Sequence, residues 1–544
     1  MPKVTMDRIL DTMAGQPLLP RFLVHLRQRI AAKELTVVIG AGATTDAGAP
    51  MWDALLDRIH AAVGTSAGPE PKTYRAMGVH QAVLGTILKT RFATSSDPGD
   101  NILKVDNEWF KIIQEAIYRD VPSERDRLFE KHVYLWELIR LCYEVNLVIN
   151  FNFDDIIAEG MRHYAEVNKH ENRPTPSVIW RPALLERKDS ALIYHINGVI
   201  TQGVGKKRSE TLVFTEDSFY DAELRSPRVR VDHVLAKFVN TTMFIIGHSL
   251  SDNSLKGYLR QSKMINPANH HYFVHWLKDA SSLTNDQQRE IFEANLELYN
   301  LITLFLTTEE VHAFLMAVNA GSSEFQKFLE KTDPNFPRIF YVVGPVAAGK
   351  TSVLEYLRCF STHEEWLGEN PRDMFIASEK VDSDRLKRID DWVYEQIRMK
   401  NERLQQAGPG FIFVDRGPLD LFAFSKDDDE WQAKAESVRR TLRGGKLVGG
   451  QVVFLNAEAE ALVERNWKRG RPPEVSGDAT YLRRQGDMLA EVYSEAEPFR
   501  TDADPPEAIS AQIARAALLG DYAVVDLHTK LEAVAAGGRA GLAS

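Results

Sequence analysis

The sequence predicts an α/β protein with two domains, each built around a parallel sheet. Two strand–glycine loop–helix segments carry this prediction: Thr36–Ile39 runs into Gly40, and about three hundred residues later Ile339–Val343 runs into Gly344. After each of them, short apolar runs alternate with amphipathic stretches, a pattern that is typical of parallel α/β folds.

The apolar runs and the amphipathic stretches give the individual elements. The predicted strands are Asn146–Asn150, Leu192–Ile196, Thr211–Phe214, Thr242–Gly247 and His271–Val274, then Phe411–Val414, Gln451–Leu455 and Ala523–Val525. The predicted helices are Asp154–Val167, Arg228–Val239, Asn285–Leu296 and Ser352–Leu357. Because glycine, serine and proline interrupt the periodicity near Ala320 and Pro337, we expect a domain over 1–320, a linker over 321–337, a domain over 338–535 and a tail over 536–544.

Composition excludes several classes of protein. The 544 residues carry 66 basic and 76 acidic side chains, a net charge of −10 that disfavours nucleic acid as the main partner. Two cysteines, Cys142 and Cys359, exclude a disulfide framework and a four-cysteine zinc site. Neither a signal-peptide core nor a run of 18 apolar residues occurs, so we expect a cytoplasmic protein without a membrane partner.

The first glycine loop, Gly40–Pro50, follows an apolar strand. Glycines in such a loop let the backbone approach a pyrophosphate, and the next helix offers free N–H groups to it. A tight turn between strand and helix is the alternative interpretation. The dehydrogenase fingerprint is not met, because Thr45 stands where its third glycine would be.

Polar residues also follow the later strands of this domain, at the carboxyl ends where open parallel sheets bind their ligands. These segments are Asn150–Asp155, Ile193–Gly198 with His195, Leu212–Asp217 and Phe244–Asp252.

In this order, over about residues 30–315, the segments resemble the sirtuin-like family in its bacterial NAD-consuming branch. The matching positions are Gly40–Pro50 with Trp52, Asn152 with Asp154, His195 with Gly198, Val213–Thr215 with Tyr220, and Gly247 with Ser249 and Asp252. This region contains one cysteine, so the zinc ribbon of the deacetylases is absent and deacetylation is disfavoured. Asn197 stands where many relatives have a histidine. His195, on the same face of the strand, is then either the catalytic histidine or a structural one.

The resemblance implies a Rossmann-type sheet without zinc that hydrolyses NAD to nicotinamide and ADP-ribose. Asn152 would orient the ribose and water, Asp154 would support the ribose, and His195 would act as a base with a pKa near 6.5. The remaining nucleotide-binding positions would be Gly40, Ala41, Gly42, Thr44, Asp46, Gly247, Ser249 and Asp252. Since a polar residue at a strand end contributes little packing, we expect Asn152→Ala to leave the fold intact.

The second glycine loop, Gly344–Thr351, satisfies the pattern G-x-x-x-x-G-K-[ST] between a strand and a helix. Its backbone N–H groups, with Gly344 and Gly349 at the turns, would surround phosphates, Lys350 would reach the terminal ones, and Thr351 would hold Mg²⁺. Asp415 ends a later strand, where its carboxylate would join the Mg²⁺ shell or activate an acceptor hydroxyl.

A basic cluster follows the strand Gln451–Leu455. It comprises Arg465, Lys468, Arg469 and Arg471 and is either a lid that neutralises phosphate or a solvated helix. Together with the glycine loop it resembles small nucleoside and nucleotide kinases over about residues 337–530. This resemblance implies ATP and Mg²⁺ as ligands, with Arg465 and Arg469 among the binding residues, and leaves the phosphoryl acceptor undefined.

We therefore expect a cytoplasmic NAD hydrolase that is regulated by an ATP-binding, kinase-like domain, with small nucleotides as ligands. The family resemblance implies anti-phage defence by NAD depletion, a phage-derived trigger and assembly into homo-oligomers. One alternative is an active kinase whose N-terminal domain binds a regulatory nucleotide. The other is a non-enzymatic sensor in which Asn197 marks an inactive hydrolase.

Overall fold

A computed structural model describes residues 19–64, 68–96, 101–124, 128–129, 132–168, 175–180, 191–203, 209, 212–218, 227–371, 382–425, 427–471, 473 and 477–543. The chain divides into two compact units. Unit 1 contains Arg29–Ile265 and His270–Phe328, whereas unit 2 contains Pro20–Gln28, Asn266–Asn269 and Leu329–Ser544.

Unit 1 is built on a seven-stranded sheet whose paired strands are all parallel. The strands are β1 (Leu35–Ile39), β2 (Leu147–Asn150), β3 (Ser177–Ile179), β4 (Leu192–His195), β5 (Thr242–Ile246), β6 (His271–Trp276) and β7 (Leu301–Leu306). Their order is β3-β4-β2-β1-β5-β6-β7. Every residue of β1, β2, β4, β5 and β7 is buried, as expected for strands of a parallel sheet covered on both faces.

The helices of this half of the chain are α1 (Leu19–Ala31), α2 (Trp52–Val63), α3 (Pro71–Ala76), α4 (Gln81–Ser95), α5 (Ile102–Tyr118), α6 (Val133–Glu144), α7 (Ile156–Val167), α8 (Pro227–Asn240), α9 (Asn253–Ile265), α10 (Asn285–Tyr299), α11 (Thr308–Asn319) and α12 (Ser322–Thr332). Most of them connect the strands of the unit 1 sheet, whereas α1 belongs mostly to unit 2 and α12 continues into it.

The centre of the unit 1 sheet contains a topological switch point. β1 pairs with β2 on one side and with β5 on the other. The chain builds one half of the sheet after β1 and then returns to build the other half from β5 onward. Ligands of open α/β sheets bind at the carboxyl ends of the strands at such a point, so the loops after β1, β2, β4 and β5 border the candidate site.

Unit 2 is built on a five-stranded parallel sheet of order β12-β11-β8-β10-β9. The strands are β8 (Arg338–Val343), β9 (Ser361–His363), β10 (Phe411–Asp415), β11 (Gln451–Asn456) and β12 (Phe499–Arg500). The helices are α13 (Lys350–Tyr356), α14 (Ser383–Gln405), α15 (Asp428–Thr441), α16 (Ala459–Lys468), α17 (Ala479–Val492), α18 (Pro506–Leu519) and α19 (Leu527–Gly537).

Most predicted elements are confirmed within one to three residues, and two predicted strands are wrong. In place of a strand at Thr211–Phe214, the described residues from Leu212 onward form a loop, because the N–H groups of Phe214 and Thr215 donate to the hydroxyl of Ser218. In place of a strand at Ala523–Val525 there is a single antiparallel bridge from Val525 to Gly450. Tyr220, the last residue of one predicted motif, lies outside the described residues.

Within the described ranges, no helix combines the length and the apolar character that crossing a membrane requires.

Candidate functional site

The loop after β1 lies directly against the loop after β5. The N–H of Gly40 donates to the carbonyl of Ile246 at 3.0 Å, and the N–H of Gly42 donates to that of Gly247 at 2.8 Å. A Cβ atom on Gly40 would lie 2.6 Å from the Gly247 oxygen, and one on Gly247 would lie 2.2 Å from the nitrogen of Ala43. Gly247 also has a positive φ of 71°. Glycine is therefore required at these positions for the two loops to meet.

The same contacts use the backbone donors of the glycine loop. Besides Gly40 and Gly42, Thr44 donates its N–H to the carbonyl of Ala41 at 3.2 Å. These three amides bind the protein's own carbonyl oxygens in this structure. Phosphate binding by Gly40, Ala41, Gly42 and Thr44 stays a prediction.

Asn152 connects three of the loops. Its side-chain Nδ2 donates to the carbonyl of Gly40 at 3.2 Å and to the Thr44 hydroxyl at 3.3 Å. Its main-chain carbonyl accepts a hydrogen bond from His195 Nδ1 at 3.1 Å. The residue is buried, with 7% of its surface exposed. The premise that this residue contributes little packing is therefore wrong, because its side chain holds the glycine loop. That Asn152→Ala leaves the fold intact stays a prediction.

His195 ends β4 and is completely buried. Since the Asn152 carbonyl can only accept, Nδ1 carries the proton and Nε2 carries the lone pair. Nε2 is buried and has no hydrogen-bond partner among the described residues. Burial lowers the pKa of His195 to about 4, below the 6.5 expected from the sequence. The side chain is thus a neutral imidazole with a free acceptor nitrogen at physiological pH.

Asp154 is a second titratable group beside Asn152. Its carboxylate accepts hydrogen bonds from the Thr44 hydroxyl and from the N–H of Ile156, both at 3.2 Å. Burial raises the pKa of Asp154 to about 6. Its charge therefore changes close to neutral pH, as is common for carboxyl groups in active sites.

The other predicted binding residues of unit 1 lie in more exposed positions. Asp252 accepts from the N–H of Leu255 at 3.0 Å, so its carboxylate caps the start of α9. The hydroxyls of Ser249 and Ser251 are exposed and lie 2.6 Å apart. Asp46 is exposed on the short helical turn after the glycine loop. A role for these residues in nucleotide binding stays a prediction.

Two features of the site do not follow from the motif pattern: the position of His248, and the packing of the motif residues Trp52 and Phe214 in one aromatic cluster. His248, between Gly247 and Ser249, has its ring 4.6 Å from that of Phe151 in an edge-to-face arrangement. Trp52 lies 5.3 Å from Phe214 and 5.5 Å from Phe153, ring to ring, and this aromatic cluster contains Trp109 as well. Aromatic residues after a strand are ordinary core residues in a sequence, and only the structure shows that they cluster.

Comparison with known families agrees with this geometry. Residues 146–301 match the model of a SIR2-like domain. The match runs from the residue before β2 to the first residue of β7 and includes Asn152, His195 and Gly247. The parallel sheet of unit 1 fits the Rossmann-type fold of SIR2-like domains, which are typically NAD-dependent enzymes. No curated protein matches the chain.

The glycine loop of unit 2 has the tight backbone that its motif requires. Gly344 and Gly349 have φ values of 152° and 92°, and a Cβ on Gly344 would lie 2.2 Å from the oxygen of Leu455. Lys350 Nζ donates to the carbonyls of Gly344 and Pro345 at 2.9 and 3.0 Å. Burial lowers the pKa of Lys350 to about 8. The ammonium group is thus held by carbonyl oxygens of its own loop.

Asp415 lies at the buried end of β10. Its Oδ1 has no hydrogen-bond partner within the described part of the chain, and burial raises the pKa of its carboxyl. Lys400 Nζ donates to the carbonyls of Asp415 at 2.6 Å and of Glu365 at 3.2 Å, while Arg416 bonds the Glu365 carboxylate. The Lys400 ammonium group thus holds the main chain at Asp415 and at Glu365, while the Asp415 Oδ1 stays available to a ligand.

The donor set fits Mg²⁺ when phosphate oxygens complete it. Thr351 presents an exposed hydroxyl and Asp415 a free oxygen, and hard oxygen donors are what Mg²⁺ prefers. In the parts of the chain described, no group of three or more His, Cys, Asp or Glu side chains could hold a metal ion by itself.

The basic cluster divides into two parts. Arg465 Nη1 donates to the carbonyl of Ala347 at 3.3 Å and to the Thr501 hydroxyl at 2.9 Å, and its Nη2 donates to the Thr501 carbonyl at 2.6 Å. It therefore braces the glycine loop. Arg469 is exposed and lines a cavity together with Arg471, as a phosphate-binding lid would require.

That cavity has a volume of about 200 Å³. The glycine loop from Val346 to Thr351 lines it, as do Glu365, Lys400, Arg416 and Asp420. Its apolar lining includes one face of α14 and two aromatic rings, with the side chains Trp366, Leu386, Ile389, Val393, Ile397 and Phe424. A phosphate-binding loop and an apolar space thus share one cavity.

Proposed function

We propose that unit 1 hydrolyses NAD to nicotinamide and ADP-ribose. The observation that carries this proposal is the buried, unpartnered Nε2 of His195, whose tautomer is set by the carbonyl of Asn152 at the carboxyl edge of the sheet. The SIR2-like match over residues 146–301 supports NAD as the substrate.

In the proposed reaction the bond between the ribose C1′ and the nicotinamide nitrogen breaks. Nicotinamide leaves with the electron pair, and a water molecule attacks the oxocarbenium-like ribose and transfers a proton to His195 Nε2. A pKa of about 4 makes His195 a weak base. A weak base is sufficient, because water becomes strongly acidic only as it bonds to the cationic carbon. Above pH 6 the Asp154 carboxylate adds a negative charge that favours this cation.

The products test this proposal. Purified protein is incubated with NAD, and nicotinamide and ADP-ribose are quantified with and without an acetylated lysine peptide. We expect equal amounts of both products and no effect of the peptide. Nicotinamide formed without free ADP-ribose would indicate transfer to an acceptor and contradict hydrolysis.

A second candidate function belongs to unit 2, and the free Oδ1 of Asp415 beside a motif-bearing glycine loop favours it. We infer that this unit binds ATP with Mg²⁺ and transfers its terminal phosphoryl group to a small acceptor. Lys350 would bind the phosphates and Thr351 would ligate the metal. Of the two roles that the sequence leaves open for Asp415, metal ligand or base, we assign it the second, in which its carboxylate accepts the proton of the acceptor hydroxyl. The charge that Mg²⁺ supplies when bound there would stabilise the phosphate groups held by these residues.

Labelled ATP tests this function. The chain is incubated with γ-labelled ATP and a panel of nucleosides and nucleoside monophosphates. Asp415→Asn should lose transfer, whereas the matched variant Asp427→Asn, at the exposed start of α15, should retain it. Equal transfer by both variants would remove Asp415 from the reaction.

We further propose that nucleotide bound to unit 2 regulates hydrolysis by unit 1, since uncontrolled hydrolysis would deplete the NAD of the host cell. Control by ligand fits the family's implied role in anti-phage defence, with a phage-derived trigger and homo-oligomers as partners. If unit 1 were an inactive sensor, its ligand binding would persist without nicotinamide release.

A further inference from the structure

His248 belongs to the loop after β5 and packs against the first glycine loop, and none of the matched motif positions is His248 itself. It follows Gly247 directly, and its ring is 4.6 Å from that of Phe151. A Cβ built on Gly40 would lie 2.7 Å from His248 Cδ2. Because Cδ2 is bonded to Nε2, this nitrogen lies on the ring edge that covers Gly40.

The hydrogen bonding of this imidazole is incomplete. Nε2 is buried and has no partner in the described structure. Nδ1 is 3.4 Å from the Ser249 carbonyl, a long contact that does not decide which ring nitrogen carries the proton. Nε2 donates when the ring is in the Nε2–H tautomer or is protonated, and an anion bound at Nε2 favours both of these forms over the Nδ1–H tautomer. A buried nitrogen without a partner is unfavourable, and a ligand that binds it removes that cost.

Most backbone donors of the glycine loop are already used. The amides of Gly40, Gly42, Ala43 and Thr44 bind protein carbonyl groups, so a side-chain donor beside this loop would supply a hydrogen bond that these amides do not. The charged group that acts on His248 is Asp252, which opposes the lowering of the histidine pKa by burial. The other two neighbours, Gly40 and Phe151, carry no charge.

We propose that His248 is a substrate-binding residue, and that its Nε2 donates a hydrogen bond to the pyrophosphate of the dinucleotide. This inference rests on NAD as the ligand of unit 1. The glycine loop at a topological switch point is where a dinucleotide places its pyrophosphate, and the His248 ring lies against that loop. His195 would act on the reacting end of the substrate, whereas His248 would hold its centre.

The test compares His248→Phe, which keeps a ring against Phe151, with His248→Gln, which restores an N–H donor. The matched control is His275→Phe, in which a half-buried histidine on β6 that packs on Phe305 is replaced in the same way. The full-length proteins are titrated with ADP-ribose by calorimetry, and kcat and KM for NAD are measured in parallel.

We expect His248→Phe to weaken ADP-ribose binding by about 10-fold or more, as the loss of a hydrogen bond to a charged group does. KM for NAD should rise by a similar factor with kcat nearly unchanged. His248→Gln should recover most of the affinity, and His275→Phe should behave as the parent.

Two results would overturn the assignment: ADP-ribose affinity in His248→Phe within about 2-fold of the parent, or a loss of kcat without a rise in KM. A parent protein that binds ADP-ribose in a His248-dependent manner but releases no nicotinamide would refute the hydrolase and leave the assignment in place. A parent that releases nicotinamide but binds no ADP-ribose would refute the assignment of His248 and leave the hydrolase in place.

Discussion

Replacing Asn152 by alanine separates the structural contribution of this residue from its chemical one. The change removes the hydrogen bonds to the Gly40 carbonyl and the Thr44 hydroxyl. At about 0.5–1.5 kcal/mol for each bond, we expect the free energy of unfolding to fall by about 1–3 kcal/mol. The Gly40 carbonyl still accepts from the N–H of Ala43, which keeps the loss within this range.

Thermal denaturation and nicotinamide release are measured on the same preparations of Asn152→Ala. The melting temperature should fall by several degrees, and nicotinamide release should be lost at temperatures well below it. Asn168→Ala is the control, because the side-chain amide of this residue, directly after α7, donates to the Tyr164 carbonyl and lies outside the site. Full activity of Asn152→Ala, or a melting temperature equal to that of the parent, would refute the role of this side chain.

Three further changes test other parts of the account. His195→Ala should lower kcat for nicotinamide release by about 10²-fold or more at saturating NAD, and a small loss would assign the base elsewhere. Burial raises the pKa of Asp154 from 3.8 to about 6, so its contribution to stability is complete below pH 4 and is lost as the pH rises through 6. Asp154→Asn cannot ionise. The free energy of unfolding of this variant minus that of the parent, measured with denaturant, should therefore be up to about 3 kcal/mol larger at pH 8 than at pH 4. An equal difference at the two pH values would contradict the raised pKa. Lys350→Ala should abolish the change that ATP causes in the rate of NAD hydrolysis, a change of about 5- to 150-fold for typical couplings. Asp415→Asn should keep this change if binding of ATP to unit 2 is sufficient to cause it. Identical hydrolysis in the parent and both variants with every nucleotide tried would show that the units act independently.

The sequence predicted most strands of both sheets because buried parallel strands are continuous apolar runs. It did not predict the loop at Phe214, where one serine hydroxyl binds two successive backbone N–H groups. Such a local competition leaves no trace in hydrophobic periodicity.

The site residues were predictable individually, but their arrangement was not. Asn152 contacts His195 because β2 and β4 are neighbours in register, with Asn150 beside His195. Strand order is a long-range property, so the sequence could not show which loops meet. His248 and Lys400 belong to no motif, and only their contacts across the fold distinguish them from ordinary residues.

Helix α1 shows that a domain boundary, like strand order, could not be predicted from the sequence. Gln28 exchanges two hydrogen bonds with the backbone of Phe411, 383 positions later in the chain. Both residues belong to unit 2, although Gln28 precedes the first strand of unit 1. Breaks in periodicity cannot reveal that a segment packs with a distant part of the chain.

Nicotinamide release by the parent, Asn152→Ala and His195→Ala decides whether unit 1 hydrolyses NAD through these two side chains. The three purified full-length proteins are compared at saturating NAD, with folding verified by circular dichroism. We expect release by the parent and a loss of at least about 10²-fold in both variants. Release by the variants at the rate of the parent, or a parent that is folded and binds ADP-ribose but never cleaves NAD, would contradict hydrolysis through these side chains.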